Sequence, residues 1–190
     1  MGIFDNLFKY REAGEKPSAG NVENFGEPVR SLFASTGALS LSQSTEITDD
    51  QGRVAYRSSS KIVTLKDETD VTDAGGKLIA HIVSKILSFH ERRIVDMADG
   101  THFELSNEIL HIIKDVTNIE GLGWQLRGNI IGLDFQLYDK NGDVIAVISQ
   151  KAVSIKDKYC IDIYQPQHEA VAVTILVALQ HMIRDRENGG

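Results

Sequence analysis

The chain reads Ala170-Val-Ala-Val-Thr-Ile-Leu-Val-Ala-Leu-Gln-His-Met-Ile183 near its C-terminus. As a helix this stretch is apolar on every face except at Thr174, Gln180 and His181, so it needs protein on all sides. It is too long for one strand, and it is too short to span a bilayer, which needs about 20 apolar residues. We therefore predict a buried helix over about 169–185, surrounded by the preceding strands, and no transmembrane span.

Composition limits the domain organisation and the class of partner. A chain of 190 residues with 42% hydrophobic content suffices for one domain with a substantial core, and two domains would be cramped. We predict an N-terminal arm over residues 1–30 and one domain over residues 31–188. A net charge of −7 argues against non-specific nucleic-acid binding, which normally needs a basic excess.

The N-terminal arm combines a short amphipathic segment with a linker. Residues 3–11 place Ile3, Phe4, Leu7 and Phe8 on one helical face, and residues 12–30 are rich in glycine, proline and polar side chains. We expect the helix to dock on its own domain, with docking on a partner as the alternative. The segment has no basic stretch followed by a sustained apolar run, so it does not resemble a signal peptide.

From Ser40 onward the sequence alternates in the manner of strands, and one spacing recurs: Asp, Gly three residues later, Lys nine later, and Ser or Thr three later. The copies are Asp49/Gly52/Lys61/Thr64, Asp73/Gly76/Lys85/Ser88 and Asp139/Gly142/Lys151/Ser154, with a decayed fourth at Gly100. In such a turn the Asp carboxylate caps backbone N–H groups and Gly accepts a positive φ. The pattern predicts a series of hairpins. A calcium loop at Asp139 is rejected, because Val144 and Gln150 stand where that loop needs Gly and Glu.

Strand alternation assigns faces to the repeated positions. The even positions after each glycine should face the interior; they are Val54, Tyr56, Ser58, Leu78, Ala80, Ile82, Val144, Ala146 and Ile148. By the same alternation Lys61, Lys85 and Lys151 lie on the outer face. The ordinary interpretation is that they are simply exposed to solvent, because lysine is rarely buried. Trp124 is flanked by glycines and is predicted to pack in the core rather than to offer a stacking surface.

The residues that carry the resemblance to a known family follow Trp124 and Gly128. They are Phe135-Gln-Leu-Tyr-Asp-Lys-Asn-Gly-Asp-Val-Ile-Ala-Val-Ile-Ser-Gln-Lys151, then Lys158-Tyr-Cys-Ile-Asp-Ile163, then the apolar helix. Together with the repeated turns, this order resembles the LURP-one-related family of the tubby C-terminal-like superfamily, over about residues 35–186. The resemblance implies a mainly β fold, a twelve-stranded and mostly antiparallel β-barrel that encloses the hydrophobic C-terminal helix. Among better-known relatives, tubby domains bind phosphoinositide head groups through basic residues, and phospholipid scramblases share the superfamily. Those binding residues have no position-by-position match here, so lipid binding is an analogy.

The sequence contains no recognisable catalytic or metal-binding motif. The six histidines show no paired metal spacing, and Glu108 and His111 would point to opposite faces of a strand. Cys160 alternates with Tyr159 and Ile161 and has no base near it in sequence, so we predict a packing or surface thiol. His181 is expected to be neutral at a barrel end. We predict no catalytic residues, no metal and no cofactor.

Two functional classes remain for the sequence. The first is a non-enzymatic binding or regulatory module that reads an anionic phospholipid, a phosphoinositide or a protein partner, with Lys61, Lys85, Arg92, Arg93 and Lys151 as the exterior cations. The alternatives are an enzyme with a site at the barrel mouth, for example Cys160 with a histidine, or a pure protein-interaction scaffold. A lone cysteine favours a reducing compartment, so we expect a cytoplasmic protein, peripheral at a membrane if it reads lipid.

Overall fold

The computed structural model describes residues 25–35, 44–63, 66–87, 90–106, 109, 116–149 and 158–188. Twelve strands precede a 3-10 turn and one long helix. The strands are β1 (Arg30–Ser35), β2 (Ser44–Asp49), β3 (Val54–Val63), β4 (Lys66–Asp73), β5 (Leu78–Leu87), β6 (His90–Met97), β7 (His102–Ser106), β8 (Val116–Ile119), β9 (Trp124–Asn129), β10 (Asp134–Tyr138), β11 (Val144–Ser149) and β12 (Lys158–Ile163). The turn is Pro166–His168 and the helix, α1, is Glu169–Asn188. The predicted helix start at residue 169 is confirmed, and the helix runs three residues beyond 185.

The strands form one antiparallel sheet in the order β7-β6-β5-β4-β3-β2-β1-β12-β11-β10-β9-β8. Every step in this order joins sequence neighbours except β1 to β12, where the first and last strands pair from Arg30 opposite Ile163 to Ser35 opposite Lys158. The two edge strands, β7 and β8, approach each other through a bridge between Glu104 and Glu120. The sheet is therefore a nearly closed barrel, as the family resemblance implies.

Helix α1 lies along the axis of the barrel. It contacts β5 and β11, which stand six places apart in the twelve-strand order and therefore on opposite sides of the ring. Residues 171–180 are all buried, including Thr174, whose hydroxyl donates a hydrogen bond to the carbonyl of Ala170 one turn earlier. A helix with so little polar surface is stable only when strands surround it.

The Asp-x-x-Gly turns have the predicted chemistry. At Asp49, Asp73 and Asp139 one carboxylate oxygen accepts backbone N–H groups two and four residues later, at 2.8–3.0 Å. The glycine N–H donates to the carbonyl of the same Asp, and each turn glycine has a φ between +76° and +87°. The decayed copy keeps this backbone with Met97 in the Asp position, and Asp99 instead accepts the N–H of Thr101.

The predicted inward face is correct from the fourth residue after each turn glycine and wrong nearer the turn. Ala80, Ile82, Ala146 and Ile148 are buried, but Leu78 is 45% exposed. The reason is a β-bulge at the start of each of β3, β5 and β11. In each strand the third residue after the turn glycine has no partner in the ladder; these residues are Ala55, Ile79 and Ile145. The extra residue rotates the strand start, so Leu78 faces away from the core and Val54 and Val144 are only half-buried.

Candidate functional site

The barrel has two chemically different ends. The turn end contains the Asp49, Asp73 and Asp139 turns and the start of α1. Because neighbouring strands are antiparallel, the last residues of β3 and β5 and the first residues of β4, β6 and β12 all lie at the opposite end. Helix α1 finishes at this opposite end, and we call it the basic end for the cations described below.

The carboxylates of Asp49, Asp73 and Asp139 at the turn end have backbone partners. Desolvation alone would raise the pKa of Asp139, but hydrogen bonds from the backbone N–H groups of Asp143 and Asn141 outweigh it and hold that pKa below its usual value. Among the described residues no group of three or more His, Cys, Asp or Glu side chains could hold a metal ion. The turn carboxylates therefore serve as caps.

The start of α1 is fixed at the turn end by a buried acid. One carboxylate oxygen of Glu169 accepts hydrogen bonds from Arg30 at 2.7 Å and from the Tyr56 hydroxyl at 2.9 Å. Burial, reinforced by the charge of Glu169, raises the pKa of Tyr56, so the phenol stays protonated as a donor. Three chain segments thus meet where the helix enters the barrel, and this contact orients the helix rather than offering a free charge.

Three of the predicted exterior cations lie at the basic end. Lys61 and Lys85 are exposed on the outer wall near the ends of β3 and β5, and Lys85 stands opposite Arg92 in the β5–β6 ladder. The Arg92 guanidinium is 42% exposed and lies 3.0 Å from Glu104 and 3.5 Å from Glu120. Arg92 therefore also holds together the β7–β8 seam that closes the barrel.

Arg93 is not an exterior cation. Its side chain is 2% exposed, points into the barrel and forms an ion pair with Asp185 of α1. Consecutive residues of a strand point to opposite faces, so Arg92 and Arg93 cannot share one surface. The sequence signal was parity along β6: Arg93 alternates in step with apolar Val95 and Met97, both buried, whereas Arg92 is in step with exposed Asp96.

The remaining predicted cation, Lys151, lies outside the described residues. Chain order connects it to Ser149, the last residue of β11, at the basic end. The first residues of β4 and β12, Lys66 and Lys158, begin their strands at this end as well. The segments 3–11 and 107–108 and residue His111 are likewise outside the described part of the chain.

Sequence reasoning missed a polar lining inside the barrel near its basic end. Ser60, Thr69 and Ser84 are buried on the inner faces of β3, β4 and β5, and the Ser60 and Thr69 hydroxyls lie 3.0 Å apart. Nδ1 of His181 lies 3.4 Å from the Thr69 hydroxyl. Burial, with Arg184 and Arg93 nearby, lowers the pKa of His181 to about 4, so the imidazole is neutral at pH 7, as predicted. In the sequence, only the alternation of Ser58 and Ser60 with the residues between them pointed to this lining. It was a weak signal, because small hydroxyl side chains occur on both the inner and the outer face of a strand.

Cys160 and His181 do not meet. The neighbours of Cys160 in β12, Tyr159 and Ile161, are buried core residues, so the thiol points to the outer side of the wall while His181 is on the enclosed helix. The thiol is 1% exposed and 3.2 Å from Asp162. This geometry separates Cys160 from His181, the histidine of the core helix. Trp124 is buried against His168, which confirms its core placement.

Comparisons with known proteins agree with the observed architecture. A family model described as LURP-one-related matches residues 30–180. An X-ray structure of a protein from Arabidopsis thaliana is similar with a TM-score of 0.51 and 12% sequence identity, over 81% of this chain and 92% of that chain. At this identity the similarity shows the fold alone. The search of curated proteins found no significant match. Within the described residues, none of the helices is long and apolar enough to cross a membrane.

Proposed function

Since the chain belongs to the LURP-one-related family, we propose that it is a non-enzymatic binding module whose basic end contacts an anionic ligand, the head group of a membrane phospholipid. The observation that supports this most is the placement of charge along the barrel axis. Lys61, Lys85 and Arg92 stand on the outer wall at the end where α1 finishes with Arg184 and Arg186, whereas the Asp-rich turns stand at the other end. A net charge of −7 would otherwise repel an anionic surface.

Local pairing limits how strongly these cations can attract a ligand. Lys61 faces Glu68 across the β3–β4 ladder, and Arg92 is shared between Glu104 and Glu120. A cation near an anionic membrane surface contributes about 1 kcal/mol, and neighbouring carboxylates reduce that contribution. The proposal therefore implies weak binding that decreases steeply with salt, because screening is stronger at higher ionic strength.

Co-sedimentation with vesicles tests the proposal. Phosphatidylcholine vesicles with and without phosphoinositide are compared at low and at physiological salt, using the full chain. The test variant is Lys61→Ala with Lys85→Ala, with and without Lys151→Ala. The matched control is Lys77→Ala with Lys140→Ala, which removes the same charge from two exposed lysines at the turn end.

We expect phosphoinositide-dependent binding at low salt, reduced several-fold by the basic-end change and unchanged by the turn-end change. Equal loss in both double variants would mean that net charge alone governs binding. Absence of binding at low salt would overturn the lipid proposal and leave a protein partner as the ligand class, to be sought with the same two variants.

A further inference from the structure

The barrel closes through one short contact, the seam between β7 and β8. In each of the other pairs of neighbouring strands, three or more residues stand opposite one another. At the seam a single bridge joins Glu104 of β7 to Glu120, which follows β8, and the N–H of Glu104 donates to the carbonyl of Glu120 at 3.1 Å. Both strands are described along their whole length, and no second bridge joins them. The ladder that closes the barrel therefore stops well before the basic end.

The two ends of the seam differ in packing. Beside the bridge, a Cβ on Gly121 would lie 2.7 Å from the carbonyl oxygen of His102 and 3.1 Å from Cα of Phe103, so the backbones touch there. Nearer the basic end, the Thr117 hydroxyl of β8 has no hydrogen-bond partner within the described residues, although Thr117 is 9% exposed. A buried hydroxyl of this kind costs free energy that contact with water would recover. Opening from the basic end is therefore the less costly way to part the two strands.

The bridge places two acids opposite each other. Like charges in this relation destabilise a strand pair, so Glu104 and Glu120 oppose the only bridge of the seam. Arg92 of β6 compensates, because its guanidinium lies 3.0 Å from the Glu104 carboxylate and 3.5 Å from that of Glu120. The first contact lies within the β6–β7 pair, and the second crosses the seam. Closure thus depends on one cation supplied by the neighbouring strand.

We propose that Arg92 is a latch: it holds the seam closed while it contacts Glu120, and a phosphate-bearing head group that binds its guanidinium at the basic end releases β8 from β7. The release step rests on the proposed function above. The contact with Glu120 is long and Glu120 is 73% exposed, whereas a phosphate binds a guanidinium through two parallel hydrogen bonds. Lys85, opposite Arg92 in the β5–β6 ladder, supplies a second cation beside it. Binding and opening of the barrel are then coupled through one side chain.

Hydrogen exchange of the Glu104 amide, followed by NMR without lipid, tests the latch, because this amide is the donor of the bridge. In Arg92→Gln we expect its exchange to rise about threefold, the size that an exposed ion pair allows, with the amides of β4 unchanged. The matched control is Arg57→Gln, which breaks an exposed pair with Glu46, 3.1 Å apart, across the continuous β2–β3 ladder. It should leave the Glu104 amide unchanged. Adding Glu120→Gln to Arg92→Gln removes the like-charge pair and should restore slow exchange.

An unchanged Glu104 amide in Arg92→Gln, or an equal rise in Arg57→Gln, would overturn the latch. The release step is tested on the full chain at low salt, by hydrogen exchange and mass spectrometry with phosphatidylcholine vesicles that contain or lack phosphoinositide. We expect phosphoinositide to speed exchange in peptides of β7 and β8 about threefold in the natural chain, with no further increase in Arg92→Gln. Co-sedimentation of the same samples separates the two proposals. Vesicle binding without faster exchange would overturn the release step and leave the proposed function standing, whereas absence of binding would overturn both.

Discussion

Arg93 of β6 and Asp185 of α1 form an ion pair inside the barrel, close to its basic end. Arg184 also contacts the Asp185 carboxylate, at 3.1 Å, so two guanidinium groups share one acid. Asp185 is 24% exposed whereas Arg93 is 2% exposed, so the arginine is the member that folding removes from water. The pair ties the last turns of the helix to the wall, as Arg30 and Tyr56 tie its first turn through Glu169.

The first prediction separates Arg93 from the exterior cations. Arg93→Met removes a buried charge whose partner keeps Arg184 and some contact with water, so we expect the free energy of unfolding to fall by about 1–3 kcal/mol. Lys85→Ala, on the exposed outer wall, should change it by less than about 0.5 kcal/mol. Urea denaturation of both variants is the measurement. Equal effects would contradict the inward position of Arg93.

The sequence predicted those parts of the fold that repeat or that have a strong physical constraint. An apolar stretch such as 170–183 has few alternatives to a buried helix, and an Asp-x-x-Gly turn depends on one carboxylate and one positive φ. The bulges after these turns were not predicted, because a skipped residue such as Ile79 has an ordinary strand side chain. Leu78 was therefore assigned to the wrong face.

The candidate site was predictable only in part. Chain order and alternation placed Lys61 and Lys85 outside, and the successive antiparallel hairpins β3–β4 and β4–β5 put them at the same end of the sheet. That Arg184 and Arg186 lie at this end follows from the position of α1 inside the barrel, which the sequence predicts only as a buried helix. The interior set around His181 brings together residues distant in sequence, Ser60, Thr69 and Ser84, whose small polar side chains give no helical or strand signal of burial. Such a cluster becomes visible only in three dimensions.

The second prediction is a loss of stability in mild acid caused by His181. Its folded-state pKa, about 4, lies below the unfolded value of 6.5, so the unfolded chain binds more protons between these values. Stability is therefore lost as pH falls through this window, by about 2 kcal/mol between pH 7 and pH 5. Urea midpoints at both pH values measure the loss.

The variant His181→Gln keeps a polar side chain without the titration and should remove most of that difference. The same change at exposed His102 should leave the difference in place. A difference that persists in His181→Gln would show that other groups govern the acid sensitivity.

The third prediction compares two glycines that both have a positive φ. A Cβ at Gly128, where φ is +114°, would lie 2.8 Å from the carbonyl oxygen of Asp134 and 3.1 Å from Cα of Phe135 on β10. A Cβ at Gly142, where φ is +87°, would meet nothing within 4 Å. Gly142→Ala should therefore cost only the backbone strain, about 1 kcal/mol, and Gly128→Ala should cost more, about 2 kcal/mol or above. Thermal melts of the two variants test this, and an equal cost would mean that β9 and β10 separate easily.

The last prediction concerns the helix itself. A chain ending at residue 168 lacks α1, whose buried side chains contribute roughly 12–24 kcal/mol before chain entropy is subtracted. They are Val171, Val173, Ile175, Leu176, Val177, Leu179, Met182 and Ile183. Without them Ala80 and Ala146, on the two walls that the helix contacts, would line a void too large for their neighbours to fill. We expect an insoluble or molten product, detected by size-exclusion chromatography and by loss of the near-ultraviolet circular dichroism signal. A soluble 1–168 chain with a cooperative melt would contradict the central position of the helix.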